Sequence, residues 1–243
     1  ITRREGEETR GKPFENGHGR ISRDLNLLLD VIAENPRRSV LYKSRAYNSD
    51  VYIYVGNLNK LGLRARFADD NPHRKDILSR IVDKYTDAGM NFLFFYKDRA
   101  IGKAVYNGKR ISTQYVESAR PEIFVNEDGE VEINETKSED TQGQKFALEG
   151  AAVLIKDGKD VTGIREGSRI IYSEYIKRAK AEKLAKISPK SGVGLGKKID
   201  RSGKKTPIIL FVVVDGRTTQ NRGVNYKELA EIVLAFSKKE NIK

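Results

Sequence analysis

The chain has 243 residues, 33% of them charged and 38% hydrophobic, with a formal net charge of +12 and no cysteine. A disulfide framework and thiolate metal sites are thereby excluded. The longest apolar run, Ile208 to Val214, is strand-sized and too short to cross a bilayer as a helix. The positive charge favours polyanionic partners such as a phosphorylated glycan, another acidic polymer or nucleic acid, and no membrane span. The plain alternative is a solvated basic surface. The lack of cysteine and of a visible signal peptide favours a cytoplasmic or virion-associated setting.

Residues 1–20 are charged and nearly free of aliphatic side chains, and read as a flexible tail. Residues 21–243 read as one domain. Ser22 suits the N-cap of a first helix with an apolar stripe at Leu25, Leu28, Leu29 and Ile32, stopped by Asn35-Pro36. Val51, Ile53 and Val55 alternate with Tyr52 and Tyr54 as in a half-buried strand. A turn at Asn57 to Lys60 and a second alternating run through Leu61, Leu63, Ala65 and Phe67 follow, and then a short helix from Arg74 to Lys84. Three strand–turn–strand units come next, turning at Asn107-Gly108, Asp128-Gly129 and Asp157-Gly158, where both positions tolerate φ > 0.

Ser173 to Ile187 is expected to be helical, and SGVGLGKK to be a Gly- and Lys-rich loop. PIILFVVV is a continuous apolar strand, buried on both faces. The last helix starts at the N-cap Asn225, with Glu228 completing a capping box and Leu229, Ile232, Val233 and Phe236 forming its apolar stripe. The fold class expected from this order is α+β: a mixed, largely antiparallel sheet with several hairpins, flanked by helices.

The candidate chemistry lies between that strand and that helix. Asp215-Gly216-Arg217 ends the strand, Gly216 would let the backbone turn, and Arg222 lies a few residues on. Two guanidinium groups match phosphate oxygens and stay charged at any pH. Asp215 has three roles open to it: general acid or base, orientation of an arginine, or binding of a cation. Glu228 is either a cap alone or a second carboxylate facing the same cleft, as glycosidic cleavage requires. A surface Asp–Arg turn is the plain alternative. The only histidines, His18 and His73, have no partners at ligand spacing, so no metal site and no cofactor are expected, with a divalent cation at Asp215 left open.

These residues resemble the phosphodiester glycosidase family. VVVDGR (Val212 to Arg217), Arg222-Gly223 and Glu228-Leu229-Ala230 match its strand, Arg-Gly loop and helix start. Asn91, Phe94 and Phe95 match its Asn-Gly-Gly-Phe-Phe segment, with Phe92 and Leu93 in place of the glycines. Lys190 and Ser191 stand where the family has Arg and Thr, and ALEGAAVLIKDGK resembles its strand with a DGK turn. The resemblance implies a hydrolase acting on a sugar-1-phosphodiester of glycan or cell-wall type, with N-acetylglucosamine as a sugar. It also implies a site lined by Asn91, Lys190, Asp215, Arg217, Arg222 and Glu228. Arg217, Arg222, Asn91 and Lys190 would hold substrate and phosphate, and Asp215 and Glu228 would move protons. The family continues past the last helix to an Asp-Gly-Gly-Gly-Ser segment, so the domain is expected to be C-terminally incomplete at Lys243. The alternatives are a non-catalytic module of the same fold in a larger assembly such as a phage particle, and a basic nucleic-acid binder using Lys177 to Lys205.

Overall fold

The computed structural model describes residues 25, 27–35, 38–63, 88, 94–96, 99–110, 120–136, 141, 143–166, 169–178 and 186–243. The expected N-terminal tail and the expected helix from Arg74 to Lys84 lie outside these residues.

The first described elements form a meander: β1 (Asp30–Asn35), β2 (Ser39–Ala46) and β3 (Ser49–Asn57). Short hairpins follow, β4 (Phe94–Tyr96) with β5 (Arg99–Ile101) and β6 (Ala104–Tyr106) with β7 (Lys109–Arg110). Next come β8 (Arg120–Asn126), β9 (Val131–Thr136), β10 (Gln144–Glu149), β11 (Ile155–Lys156), β12 (Lys159–Asp160), β13 (Gly163–Glu166) and β14 (Arg169–Tyr172). The chain closes with α1 (Glu174–Arg178), β15 (Lys190–Ile199), β16 (Lys205–Val214) and α2 (Tyr226–Lys239).

Two five-stranded sheets dominate, in the orders β1-β2-β3-β16-β15 and β7-β6-β10-β8-β9. Every strand pairing among the described residues is antiparallel. The expected α+β class is therefore corrected: the structure is mostly β, and only α1 and α2 are helical among the described residues.

Three segments account for that correction. The supposed first helix is instead β1, paired with β2. Its 3.6-residue stripe loses to the open edge of β2, whose backbone groups a strand satisfies and a helix cannot. Leu27 drops into the core and Leu25 and Leu29 pack against it, while Leu28 and Ile32 stay 77% and 48% exposed. SGVGLGKK is not a loop but the body of β15, registered with β16 over ten residue pairs. Its glycines make room for the C-terminal residues. A Cβ on Gly196 would lie 2.9 Å from Ile242 Cγ2, and Lys197 and Lys243 exchange backbone hydrogen bonds of 2.7 and 3.0 Å. Of the helix expected over Ser173 to Ile187, α1 forms, residues 179–185 lie outside the description, and Lys186 and Ile187 are bends and not helix.

The predicted turns form as expected. Asn107 and Gly108 take φ of 49° and 73°, and Asp157 and Gly158 take 50° and 70°, as two-residue hairpins require. Gly129 sits at φ 86° in the longer β8–β9 turn. The β2–β3 turn uses Tyr47 and Asn48 at φ 50° and 53°, with no glycine to announce it.

β16 is a central strand, flanked by β3 and β15. Its Leu210, Val212 and Val214 meet Val51, Ile53 and Val55 of β3 under the stripe Leu229, Ile232 and Phe236 of α2. Tyr42 packs edge-on against Phe236, with ring centroids 5.2 Å apart. Burying this stripe is what makes α2 stable, since helix propensity alone is marginal at 14 residues. Among the described residues no helix is long and apolar enough to cross a membrane.

Candidate functional site

The site segment is the loop from Asp215 to Asn225, which joins β16 to α2. Its path is set by main-chain contact. A Cβ on Gly216 would stand 2.7 Å from Gly223 Cα and 2.9 Å from Pro189 N. One on Gly223, at φ 86°, would stand 2.3 Å from Ser188 C. Three backbone segments thus cross where no side chain fits. Gly216 serves this close approach, and the left-handed backbone conformation falls to Arg217, at φ 64°. A non-glycine residue in that region is strained by about 1 kcal/mol or more.

The β2–β3 turn clamps the loop from the other side. Arg222 N donates to Asn48 O at 3.3 Å, and Gly223 N to Ser49 Oγ at 2.9 Å. Asp50 N donates to Asn221 Oδ1 at 3.0 Å, and Asp215 N to Asp50 O at 3.0 Å. Arg45 bridges Asp50 Oδ1 and Gln220 O, each at 2.8 Å. None of these supports was visible in the sequence, because the turn carries no Asn-Gly or Asp-Gly signature.

The six expected residues divide into three sets. Asn91 lies outside the described residues. Arg222 and Glu228 meet: Arg222 Nη2 donates to Glu228 Oε1 at 2.8 Å, and Arg222 Nε to Tyr47 O at 2.8 Å. The guanidinium also lies over the Tyr47 ring, 5.6 Å from its centroid. Glu228 Oε2 accepts from Asn225 N at 3.0 Å, while Glu228 N donates to Asn225 Oδ1 at 2.9 Å. This is the capping box foreseen in the sequence. Both oxygens of Glu228 are thus engaged, and its side chain is only 8% exposed. Tyr47 donates to Glu231 from its hydroxyl, and burial, followed by that bond to a carboxylate, pushes the phenol well above the ordinary tyrosine range.

The third set is Lys190, Asp215 and Arg217. Lys190 begins β15 and pairs with Val214, one residue before Asp215. Its ammonium donates to Lys186 O at 2.8 Å and to Ser188 Oγ, and lies 5.4 Å from the centroid of the Tyr226 ring. Burial, reinforced by the charge of Arg217, lowers its pKa to about 8. Tyr226 is pushed up to about 12, mainly by burial. Arg217 is exposed and Asp215 half-buried. Among the described residues neither side chain is held by a hydrogen bond or an ion pair. No such contact joins Asp215 to Glu228 either. Lys190, Arg217 and Tyr226 border a cavity of about 1600 Å³, whose lining also includes Glu122 of β8 and Gly150 and Ala151, which follow β10.

Sequence reasoning also missed Arg165, on β13. Its Nε and Nη2 are buried without a hydrogen-bond partner, and its charge opposes the rise of the Tyr47 and Tyr172 phenols. Lys227 ties that hairpin to the first turn of α2, donating to Asp160 Oδ2 at 2.6 Å and to Gly163 O at 2.9 Å. Among the described residues, no three His, Cys, Asp or Glu side chains gather as a cation site.

A family model described as phosphodiester glycosidase matches residues 82–238, more than half of the chain. The match runs through the second sheet, β15, β16 and nearly all of α2, and leaves β1–β3 outside it. No curated protein matches the chain.

Proposed function

The chain belongs to the phosphodiester glycosidase family, and from that premise we propose that it hydrolyses a sugar-1-phosphodiester at the loop between β16 and α2. The observation that carries this reading is the pair of cations, Lys190 and Arg217, that border one cavity closely enough for the charge of Arg217 to be felt at Lys190. Two cations held together without an anion form a receptor for one. Burial makes Lys190 costly to charge alone, and a phosphodiester would relieve that cost.

In this reading Lys190 and Arg217 hold the phosphate, and Asp215 takes a proton from the attacking water. Water attacks the anomeric carbon, and the bond from that carbon to the phosphate oxygen breaks with its electron pair going to the phosphate. Free sugar and a phosphomonoester leave. Lys190 and Arg217 stabilise the charge that grows on the departing group. Arg222 and Glu228, whose groups are already engaged with each other, hold the loop in place instead of reacting. Asn91 contributes a substrate contact, as the resemblance implies. The sugar is of N-acetylglucosamine type, carried on a glycan or a cell-wall polymer.

Asp215→Asn tests the assignment on the full chain with a sugar-1-phosphate ester of a simple alcohol. Free-sugar release is expected to fall by ~100-fold or more, with an unchanged denaturation midpoint. Unchanged turnover would remove Asp215 from the site. Binding of the diester by the wild-type chain without any turnover would favour a non-catalytic glycan-binding module.

A further inference from the structure

The first sheet carries a cluster of positive charge at the end away from Asp215. The antiparallel register gathers five chain segments there. Asn35 pairs with Ser39, Ser39 with Gly56, Asn57 with Ile208, and Ile199 with Lys205. The residues after α2 join them, since Ile199 N donates to Asn241 O at 3.0 Å and Lys197 N to Lys243 O at 2.7 Å. Leu58 N donates to Pro207 O at 3.0 Å and brings the turn after β3 to the same place. Lys60, Lys197, Arg201, Lys204 and Lys205 are all exposed at this end.

The carboxylates that could neutralise them are largely engaged elsewhere. Asp200 Oδ1 accepts from Ser202 N at 2.8 Å, Ser202 Oγ at 2.6 Å and Lys204 N at 3.0 Å, and so serves to build the β15–β16 turn. Glu240 Oε2 accepts from the Tyr42 hydroxyl at 2.9 Å and from Lys198 Nζ at 2.8 Å. Glu34 lies on the outer strand β1. Among the described residues, none of the five exposed cations is paired with a carboxylate. Their field therefore faces solvent, where it attracts polyanions.

This cluster is connected to the proposed phosphate site. β15 starts at Lys190 and reaches Lys197 seven residues later, which is roughly 23 Å of extended chain. The cavity bordered by Lys190 and Arg217 follows the same strand through Gly192, Val193, Gly194 and Leu195 to Ile242 and Lys243. A single sugar phosphodiester is too short to meet both ends of that path. A polymer with a phosphodiester in every repeat can place one at Lys190 and others at the cluster.

Nucleic acid offers the same backbone charge, but single strands are also held by stacking of bases on exposed rings. Of the large exposed apolar side chains among the described residues, only Tyr106 is aromatic, and it stands on β6 in the other sheet. The surface offers charge without a stacking platform, which suits sugar phosphates.

We propose that this end of the first sheet, centred on the β15–β16 turn, is a second binding surface for a polymer of sugar-phosphate repeats, which it holds while one diester lies at Lys190 and Arg217. The inference rests on the sugar-phosphodiester reading above and names its substrate as a polymer.

The test uses the full chain at low salt with two substrates, a polymer of sugar-1-phosphate repeats and a sugar-1-phosphate ester of a simple alcohol. Arg201→Gln, Lys204→Gln and Lys205→Gln are combined in one variant. KM for the polymer is expected to rise about tenfold with kcat unchanged, and the difference should shrink as salt is added. Turnover of the small ester should stay as in the wild type. An unchanged KM for the polymer would overturn the proposal, and so would an equal loss on both substrates. If the triple variant does not fold, Lys60→Gln with Lys197→Gln is read in the same way. Equilibrium binding of the polymer separates this surface from the hydrolysis it rests on. Binding that the variant weakens, without turnover in the wild type, would remove the hydrolysis and keep the surface. Turnover with binding indifferent to the variant would remove the surface alone. An oligonucleotide that binds as tightly as the polymer at equal salt would reassign the surface to nucleic acid and overturn the proposal.

Discussion

Among the described residues, two buried carboxylate sites differ in one respect. At the start of α2, Glu228 has a donor on each oxygen, one from Arg222 and one from the helix N-cap. In the second sheet, Glu149 has one oxygen on Lys103 N and the other without a hydrogen-bond donor. The first arrangement is complete and fixes geometry. The second is incomplete, and burial raises the pKa of Glu149. Burial alone therefore does not fix how a carboxylate is held; the state of its partners does.

That contrast can be broken or sharpened by measurement. The largest stability effect is expected at the complete site. Glu228→Ala removes the cap and leaves Arg222 without its anion, so chemical denaturation should show a loss of about 3 kcal/mol. A loss below about 0.5 kcal/mol would mean that the pair is dispensable.

A smaller effect is expected at Lys190. Its pKa of about 8 means that the ammonium is charged below that pH and neutral above it. Calorimetric titration with inorganic phosphate should therefore show affinity falling as pH rises from 7 to above 9, by about tenfold. Lys190→Arg keeps its charge over the whole range and should flatten that decline. A wild-type affinity that does not change with pH would place the phosphate elsewhere.

The smallest effect concerns Glu149. Its pKa is raised in the folded state, so between the ordinary glutamate pKa and the raised one the native chain binds more protons than the unfolded chain. Stability should then fall as pH rises through that window. Glu149→Gln should remove this slope in melting temperature and leave stability near pH 4 almost unchanged. An identical slope in the variant would assign the pH dependence to other groups.

Much of the local structure could be read from the sequence, since it depends on nearest neighbours. Asn107-Gly108 and Asp157-Gly158 turn the chain because of their own backbone freedom, and Asn225 and Glu228 cap α2 three residues apart. The site loop was legible for the same reason, as Asp215, Arg217, Arg222 and Glu228 lie within fourteen consecutive residues. What escaped depends on pairing across the chain. Glycine at positions 192, 194 and 196 suggests a loop, until β16 supplies a ladder for those residues. The stripe from Leu25 to Ile32 suggests a helix, until β2 offers an edge. The Lys103–Glu149–Glu122 row joins β10, β8 and the turn before β6, and its members stand 46 and 27 positions apart in the chain. No spacing rule brings them together; only the register does.

The position of β16 between β3 and β15 has a practical consequence for the boundaries of this domain. The family match begins at residue 82, yet β3 pairs with β16 over seven positions and the β2–β3 turn clamps the loop after it. The segment matched by the family model and the segments that complete the sheet around β16 are therefore not the same length of chain. A piece cut to residues 82–238 would carry the matched segments but expose one whole edge of its central strand, and would be expected to aggregate instead of binding phosphate. Grafting or truncation of this domain has to keep the meander from Asp30 to Asn57 together with the segment it braces.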